Sequence, residues 1–105
     1  LAKIGEYIWR NHLQLLEISR MIETTVVSRD GSEYRIINTN ELLKEFPAIR
    51  GGKTGFTDEA KGTLILFYPV RPQETAIIVI LGSEDRFGDG KKIIQWLENI
   101  NSNGD

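Results

Sequence analysis

The sequence has 105 residues, of which 40% are hydrophobic and 27% are charged. These proportions are ordinary for one globular domain and exclude a disordered chain. Thirteen basic residues stand against fifteen acidic ones, and the resulting net charge of −2 argues against a nucleic-acid partner. No apolar run reaches the roughly 18 residues that a membrane-spanning helix requires.

The composition also limits metal and cofactor chemistry. The chain has no cysteine and a single histidine, so disulfides are excluded and the common zinc ligand sets cannot be assembled. A serine–histidine triad would have to use His12, and no serine is flanked by glycines. We therefore expect no metal and no cofactor. We interpret His12 as an ordinary residue at a helix C-terminus, where cations are favoured.

The chain opens on a helical pattern. Ile4, Tyr7 and Ile8 recur on one helical face, which predicts an amphipathic helix over residues 1–11. Leu13–Ile18 predicts a further short helical or irregular apolar segment. Because the pattern starts at once, with neither an initiator methionine nor a cap, we expect the sequence to be part of a longer chain.

A hairpin and a short helix are predicted next. Two β-prone runs, 24–28 and 34–37, flank an Asp30-Gly31 pair that suits a tight hairpin turn. Asn40 is the predicted N-cap of a short helix. That helix must end by Phe46, because a proline follows.

The second half of the chain predicts the main sheet. Residues 63–70 and 75–81 are the strongest strands, and their nearly continuous apolar content indicates a sheet that is covered on both faces. Gly82–Gly90 is predicted as a charged connection, and a helix is predicted from Lys91 onward. Its apolar face is expected to contain Ile93, Trp96, Leu97 and Ile100. The expected fold class is α+β, an antiparallel sheet with flanking helices in a single domain over residues 1–105.

The stretch Gly51–Thr57, GGKTGFT, carries the strongest functional signal. Its Gly-Lys-Thr matches the end of a phosphate-binding loop, but the first glycine of that motif would fall on Pro47, which has no N–H to offer a phosphate. That motif also needs a helix that begins at the lysine. The β-branched Thr54 and Thr57, with Gly55 between them, favour an extended backbone. The sequence therefore argues against nucleotide binding.

The wider context of Lys53-Thr54-Gly55 supports another interpretation. This box precedes two apolar strands and a closing helix and continues as Phe56-Thr57-Asp58-Glu59-Ala60. With Asn38-Thr39-Asn40 upstream and Leu81-Gly82-Ser83 and Arg86 downstream, the run resembles the low-molecular-mass D-alanyl-D-alanine carboxypeptidases, which are penicillin-binding serine peptidases. The resemblance covers essentially the whole chain. It implies the C-terminal portion of a catalytic domain with part of the fold that β-lactamases and DD-peptidases share.

In that family the K-T-G strand lines one side of the active-site cleft, and the resemblance implies a role for each residue of the box. Lys53 would supply positive charge for the terminal carboxylate of the peptide, and Thr54 would offer its hydroxyl to the substrate. Gly55, without a side chain, would leave room for the substrate backbone. The N–H of Phe56 would be one of two donors to the developing oxyanion.

The resemblance gives two further candidates for substrate binding. Thr57 would support the strand from behind, and Arg86 would bind the carboxylate, as an arginine at a comparable offset does in some members of the family. Arg86 lies near Glu84 and Asp85, so a solvated surface position is the alternative. We interpret these two carboxylates as solvated, because adjacent residues in a turn rarely converge on one site.

Two of the three catalytic boxes of the family are missing from the sequence. The mechanism needs a serine with a lysine three residues on, and an S-x-N box. No serine of the chain has a lysine or an asparagine at these offsets: Ser19, Ser28, Ser32, Ser83 and Ser102. The resemblance implies a parent enzyme that releases the terminal D-alanine of peptidoglycan peptides through an acyl-serine intermediate. The 105-residue chain alone is expected to be inactive.

The resemblance also implies partners and a location. The implied partners are peptidoglycan pentapeptides and β-lactams. The implied location is the cell envelope, outside the cytoplasm. The strand 75–81 is expected to pair with the missing N-terminal half of the domain, or with a second copy across an open sheet edge. Two alternatives stay open. One is a non-catalytic peptidoglycan-binding or assembly module with half of the same fold, and the other is a β-lactamase, which the Thr57–Ala60 run fits less well.

Overall fold

The computed structural model describes residues 1–103 and confirms an α+β fold with antiparallel strands and flanking helices. Four helices and five strands follow one another along this part of the chain: α1 (Ala2–Asn11), α2 (Leu13–Ser19), β1 (Glu23–Val27), β2 (Glu33–Ile37), α3 (Leu42–Glu45), β3 (Gly51–Thr57), β4 (Lys61–Arg71), β5 (Glu74–Ser83) and α4 (Arg86–Asn103). No helix within residues 1–103 combines the length and the apolar character needed to cross a membrane.

The main sheet has three antiparallel strands in the order β3-β4-β5. The central strand β4 sets Leu64 opposite Thr54 of β3 and Leu66 opposite Ile78 of β5. Its long apolar run allows it to be buried at the centre of the sheet, between β3 and β5. Strand β3, which carries the K-T-G box, is therefore an outer strand of this sheet.

The hydrophobic core lies between one face of the sheet and α4. It contains buried side chains from β4 and β5, from the short α3 and the loop that follows it, and from α4: Leu42, Leu43, Ile49, Leu64, Leu66, Tyr68, Ile78, Ile80 and Ile94. The predicted apolar face of α4 was partly wrong, because Ile94 is fully buried whereas Trp96 is 60% exposed. The residues of α4 that approach the sheet follow the helical spacing from Gly90 through Ile94 to Leu97.

Helix α1 packs on part of the opposite face of the sheet, against Phe67 and Ile77. The ring of Trp9 stacks on that of Phe67 of β4, with ring centres 6.0 Å apart. A Cβ added to the buried Gly5 would lie 3.2 Å from Ile77 of β5, so the helix and the sheet approach closely there. The prediction of a sheet covered on both faces is thus confirmed only in part, because Ile65 and Val79 on this face are half-buried and Leu81 is 65% exposed. His12 ends α1, as the sequence predicted, and leads directly into α2.

The predicted hairpin and the short third helix are also confirmed. Strands β1 and β2 pair with each other in a separate two-stranded sheet. The turn between them places Gly31 at φ +87°, and the carboxylate of Asp30 accepts a hydrogen bond from the N–H of Ser32 at 2.9 Å. The predicted N-cap was one residue early, because Glu41 is the N-cap of α3; Asn40 lies just before it, and its side-chain oxygen accepts from the N–H of Leu42 at 3.1 Å. Helix α3 ends before Phe46, as predicted.

The predicted start of the last helix was wrong, because α4 begins at Arg86 and not at Lys91. Asp85 caps the helix by accepting a hydrogen bond from the N–H of Gly88 at 3.1 Å. The two glycines that suggested a connection lie at close contacts within the helix and the core. A Cβ at Gly88 would collide with the Asp85 carboxylate, and one at Gly90 would lie 3.0 Å from both Leu42 and Leu64.

Candidate functional site

The K-T-G box lies in the middle of β3 with an extended backbone, as the sequence predicted. No helix begins at Lys53, so the geometry of a phosphate-binding loop is absent at this position. Because β3 pairs only with β4 among the described strands, one edge of the box is free of backbone partners from another strand. That edge is the place where an extended ligand could add to the sheet.

The direction of the backbone groups along β3 follows from one contact. The N–H of Gly52 points away from β4 and donates to the hydroxyl of Ser19 in α2 at 3.0 Å. In an antiparallel pair the N–H and C=O of successive residues alternate between the partner strand and the open side. The N–H groups of Thr54 and Phe56 therefore face the same open edge as that of Gly52.

Gly55 and Gly52 differ in how much space a side chain would have at each position. A Cβ at Gly52 would lie 2.3 Å from the carbonyl oxygen of Ile65, so the pairing with β4 requires glycine there. A Cβ at Gly55 would meet only Thr63, at an ordinary 3.7 Å. The packing of this chain therefore does not explain the glycine at position 55, whereas a ligand lying against the strand would.

Lys53 and Thr54 line a small concavity beside this edge. The cavity measures about 180 Å³, and its other walls come from Ser19, from Gly52 and from the loop of residues 38–40. The Lys53 ammonium donates a hydrogen bond of 2.5 Å to the Thr54 carbonyl oxygen, and the lysine side chain is exposed. An ammonium has two further donors, so Lys53 retains the capacity to bind an anion here.

The hydroxyl of Thr54 forms a hydrogen bond with the hydroxyl of Thr39, with an oxygen–oxygen distance of 2.6 Å. Thr39 lies in the loop between β2 and α3, which borders the small cavity. The same loop, with Arg86 and Phe87 of α4, also lines a larger cavity of about 560 Å³. The loop thus borders both the K-T-G box and the start of α4.

Arg86 contacts the K-T-G strand directly. Its guanidinium donates a hydrogen bond of 2.6 Å to the carbonyl oxygen of Gly55. The guanidinium carbon also lies 4.7 Å from the ring centre of Phe87 and 5.7 Å from that of Phe56. The structure therefore brings Arg86 to the box, against the alternative of a solvated surface position. Its binding of a carboxylate stays a prediction.

Thr57 and the two neighbouring carboxylates are engaged within the chain. The hydroxyl of Thr57 accepts a hydrogen bond from the N–H of Ala60 at 2.9 Å and so holds the turn between β3 and β4. Glu84 lies 3.9 Å from Lys61 and is largely exposed, while Asp85 caps α4. Neither carboxylate forms an ion pair with Lys53 or Arg86 in the described part of the chain.

The contacts that hold the box in place could not be found by local sequence reasoning. Ser19 and Thr39 lie 33 and 15 residues before their partners Gly52 and Thr54. The run Asn38-Thr39-Asn40 contributed to the resemblance, but no role followed from it. Its signal was a cluster of three small polar residues directly after a strand, a pattern that is typical of many turns.

Comparisons with known proteins give both sequence and structural relatives. No protein-family model matches the sequence. Over 36 residues, the chain is 44% identical to the D-alanyl-D-alanine carboxypeptidase DacB2 of Mycobacterium tuberculosis, a stretch that covers 34% of this chain and 12% of that protein. The crystal structure of an evolved penicillin-binding protein homolog from the same species is 30% identical, with a TM-score of 0.59 over 74% of this chain and 28% of that one.

The resemblance to the D-alanyl-D-alanine carboxypeptidases is confirmed. A crystal structure of a D-alanyl-D-alanine carboxypeptidase from Mycobacterium tuberculosis H37Rv adds a likeness of fold, with a TM-score of 0.65 at 24% identity. That match covers 85% of this chain and 36% of the other. The chain thus spans only part of each of these three proteins: 12%, 28% and 36% of their lengths, in the order given above.

Proposed function

We propose that this chain is the C-terminal portion of the catalytic domain of a serine-type D-alanyl-D-alanine carboxypeptidase. It contributes the K-T-G wall of the cleft, and the nucleophile comes from another part of the protein. The observation that carries this proposal is the geometry of β3. Lys53, Thr54 and Gly55 lie extended along an outer edge, beside a cavity and within reach of Arg86.

The positive groups of this region suit the terminal carboxylate of the substrate peptide. The Lys53 ammonium has spare donors at the small cavity, and the Thr54 hydroxyl lies beside it. Arg86 uses one of its five N–H donors on Gly55, so a carboxylate can bind to the others. Charge-assisted hydrogen bonds of this kind are stronger than neutral ones and would fix the C-terminal residue of the peptide.

The backbone of β3 suits the remainder of the substrate and the reaction. An extended peptide can pair with the open edge, and the absence of a side chain at Gly55 keeps its path clear. The N–H of Phe56 faces the same edge and would stabilise the oxyanion of the tetrahedral intermediate. One such donor typically contributes about 3 kcal/mol to the transition state. Thr57 would act indirectly, by holding the turn that ends the strand.

Covalent labelling with a fluorescent penicillin tests whether the nucleophile lies outside the 105-residue chain. The 105-residue chain is mixed with the remaining part of the protein, and the two chains are separated before the label is located. We expect the label on the other part alone, and only in the presence of this chain. A label on the 105-residue chain itself would contradict the proposal, since none of its serines has a lysine three residues on.

A control variant and a binding measurement complete the test. Lys53→Ala should reduce labelling of the complex, because it removes the positive charge expected to hold the carboxylate. If the complex stays unlabelled yet binds soluble peptidoglycan fragments, the non-catalytic binding module is the better interpretation. Release of free D-alanine from a pentapeptide by the labelled complex would confirm the carboxypeptidase, and hydrolytic turnover of the β-lactam would instead indicate a β-lactamase.

A location in the cell envelope, outside the cytoplasm, is part of the same proposal. The substrate class sets this location, because peptides of the cell wall are accessible there. Cell fractionation of the producing organism with an antibody against the chain is the direct measurement. Recovery of the protein with the cytoplasmic fraction would contradict this part of the proposal.

A further inference from the structure

We infer that Thr39 is a positioning residue that sets the orientation of the Thr54 hydroxyl and thereby prepares it to donate to a ligand. This inference rests on the proposed function, in which Thr54 contacts the substrate. The observation behind it is the 2.6 Å hydrogen bond between the two hydroxyls. It is the contact by which the loop after β2 reaches the central residue of the K-T-G box.

The loop that carries Thr39 is held on both sides. The side-chain amide of Asn38 donates to the carbonyl oxygens of Ser19 and Met21 at 2.8 and 2.9 Å. Its amide oxygen accepts from the N–H of Asn40 at 2.9 Å, and the side-chain oxygen of Asn40 in turn accepts from the N–H of Leu42, the first residue of α3. Thr39 therefore sits on a braced segment, which is what a residue needs if it is to fix the rotamer of another.

The same framework holds the strand that carries Thr54. Ser19 accepts from the N–H of Gly52 and donates to the carbonyl oxygen of Leu16, at 3.0 and 2.7 Å. The end of α2 is thus bonded to both the loop of residues 38–40 and the start of β3. Because both sides of the Thr39–Thr54 pair are tied to one helix end, the distance between the two hydroxyls is fixed by the fold.

The chemistry of the pair determines what Thr39 can do. A hydroxyl has one proton and two acceptor lone pairs, so only one of the two residues donates within the pair. If Thr54 donated to Thr39, its proton would be unavailable to a carboxylate. When Thr39 donates instead, Thr54 is held in place by its lone pair and its own proton is free for the ligand. The second arrangement is the one that a substrate carboxylate selects.

Nuclear magnetic resonance of the 105-residue chain tests the positioning without any need for activity. The three-bond couplings of the Thr54 methyl carbon report whether that side chain keeps one rotamer. We expect a single rotamer in the native chain and in Thr39→Ser, which keeps the hydroxyl, and averaged couplings in Thr39→Val. Unchanged couplings in Thr39→Val would overturn the inference. Thr39 is exposed, so these variants should keep the melting temperature of the native chain.

Acylation of the complete protein by a fluorescent penicillin gives the functional measurement. We expect Thr39→Val to lower the acylation rate constant about fivefold, the size of one lost hydrogen bond, and Thr39→Ser to restore it. Thr54→Val should also lower the rate, and the double variant should be no worse than Thr54→Val alone. A loss in Thr54→Val without any loss in Thr39→Val overturns the role of Thr39. No loss in Thr54→Val contradicts the proposed substrate contact itself.

Discussion

The guanidinium of Arg86 donates a hydrogen bond of 2.6 Å to the carbonyl oxygen of Gly55, which joins the first residue of α4 to the K-T-G strand. The same group lies over the ring of Phe87 and near that of Phe56. Arg86 therefore has a structural contact with the box even when no ligand is bound. A residue of this kind couples the position of the helix to the position of the strand.

Arg86→Ala is expected to destabilise the fold by about 1–2 kcal/mol, because it removes a charge-assisted hydrogen bond and a cation–π contact. Arg86→Lys keeps the charge but not the planar group, so it should recover only part of that loss. Urea unfolding followed by circular dichroism provides the measurement. The matched control is Arg10→Ala, which breaks only the exposed i,i+4 pair with Glu6 and should cost no more than about 0.5 kcal/mol. Equal losses at the two arginines would contradict the coupling.

The two glycines of β3 allow fold and function to be separated. Gly52→Ala should destabilise the fold, because its Cβ would lie 2.3 Å from the Ile65 carbonyl oxygen. Gly55→Ala should leave the melting temperature nearly unchanged, since its Cβ meets Thr63 at 3.7 Å. In the complete protein, however, Gly55→Ala should slow acylation by a penicillin. Native acylation in a stable Gly55→Ala variant would argue against a ligand path over this residue.

Much of the fold could be predicted because its signals are local. The Asp30-Gly31 turn and the apolar runs of β4 and β5 are each encoded within a few neighbouring residues, and each was confirmed. The extended backbone of the K-T-G box followed from its β-branched residues and the absence of a phosphate-loop pattern. These elements needed no knowledge of what they pack against.

The start of α4 and the supports of the box could not be predicted for the same reason. Gly88 and Gly90 lower helix propensity, but they leave room for the Asp85 cap and for the close approach of α4 to Leu64. Only tertiary packing reveals these contacts. The Thr39–Thr54 bond likewise joins residues that are 15 positions apart, and no local pattern encodes it.

The start of α4 at Arg86 gives a prediction about Asp85. Asp85→Ala should lower the free energy of unfolding by about 1 kcal/mol, because the N–H of Gly88 loses its cap, whereas Asp85→Asn should be nearly neutral. Chemical denaturation of the three proteins measures the difference. Glu84→Ala is the control, since Glu84 is exposed and its only ion-pair contact in the described chain is Lys61 at 3.9 Å. If Asp85→Ala were as mild as this control, the helix would not begin where the structure places it.

Tyr68 is expected to make the fold sensitive to alkaline pH. Burial raises the pKa of its phenol to about 12, with help from the hydrogen bond to Glu98 and from the negative charge of that carboxylate. Because the pKa is raised in the folded state, the stabilisation is complete below the ordinary tyrosine pKa of about 10 and is lost as the pH rises from about 10 to about 12.

The tyrosinate absorbance of the native chain, minus that of Tyr68→Phe, should therefore show one phenol that titrates near pH 12. Glu98→Gln should lower this pKa, since it removes the charge while burial remains. An unfolding midpoint that falls between pH 10 and 12 in the native chain, and falls less in Tyr68→Phe, is the matching result for stability. Titration of Tyr68 near its ordinary pKa of about 10 would contradict the burial that the structure shows.

The outer edge of β5 is expected to drive association. Within residues 1–103, β5 pairs only with β4, and Leu81 near its end is 65% exposed. Open edges with apolar side chains recruit other strands, so sedimentation velocity should show self-association of the 105-residue chain that disappears when the remaining part of the protein is added. Leu81→Lys should weaken self-association, because a charge on an edge strand opposes pairing. Gln95→Lys adds the same charge on α4 and should leave it unchanged, whereas a monomer at every concentration, without any partner, would show that the edge is protected.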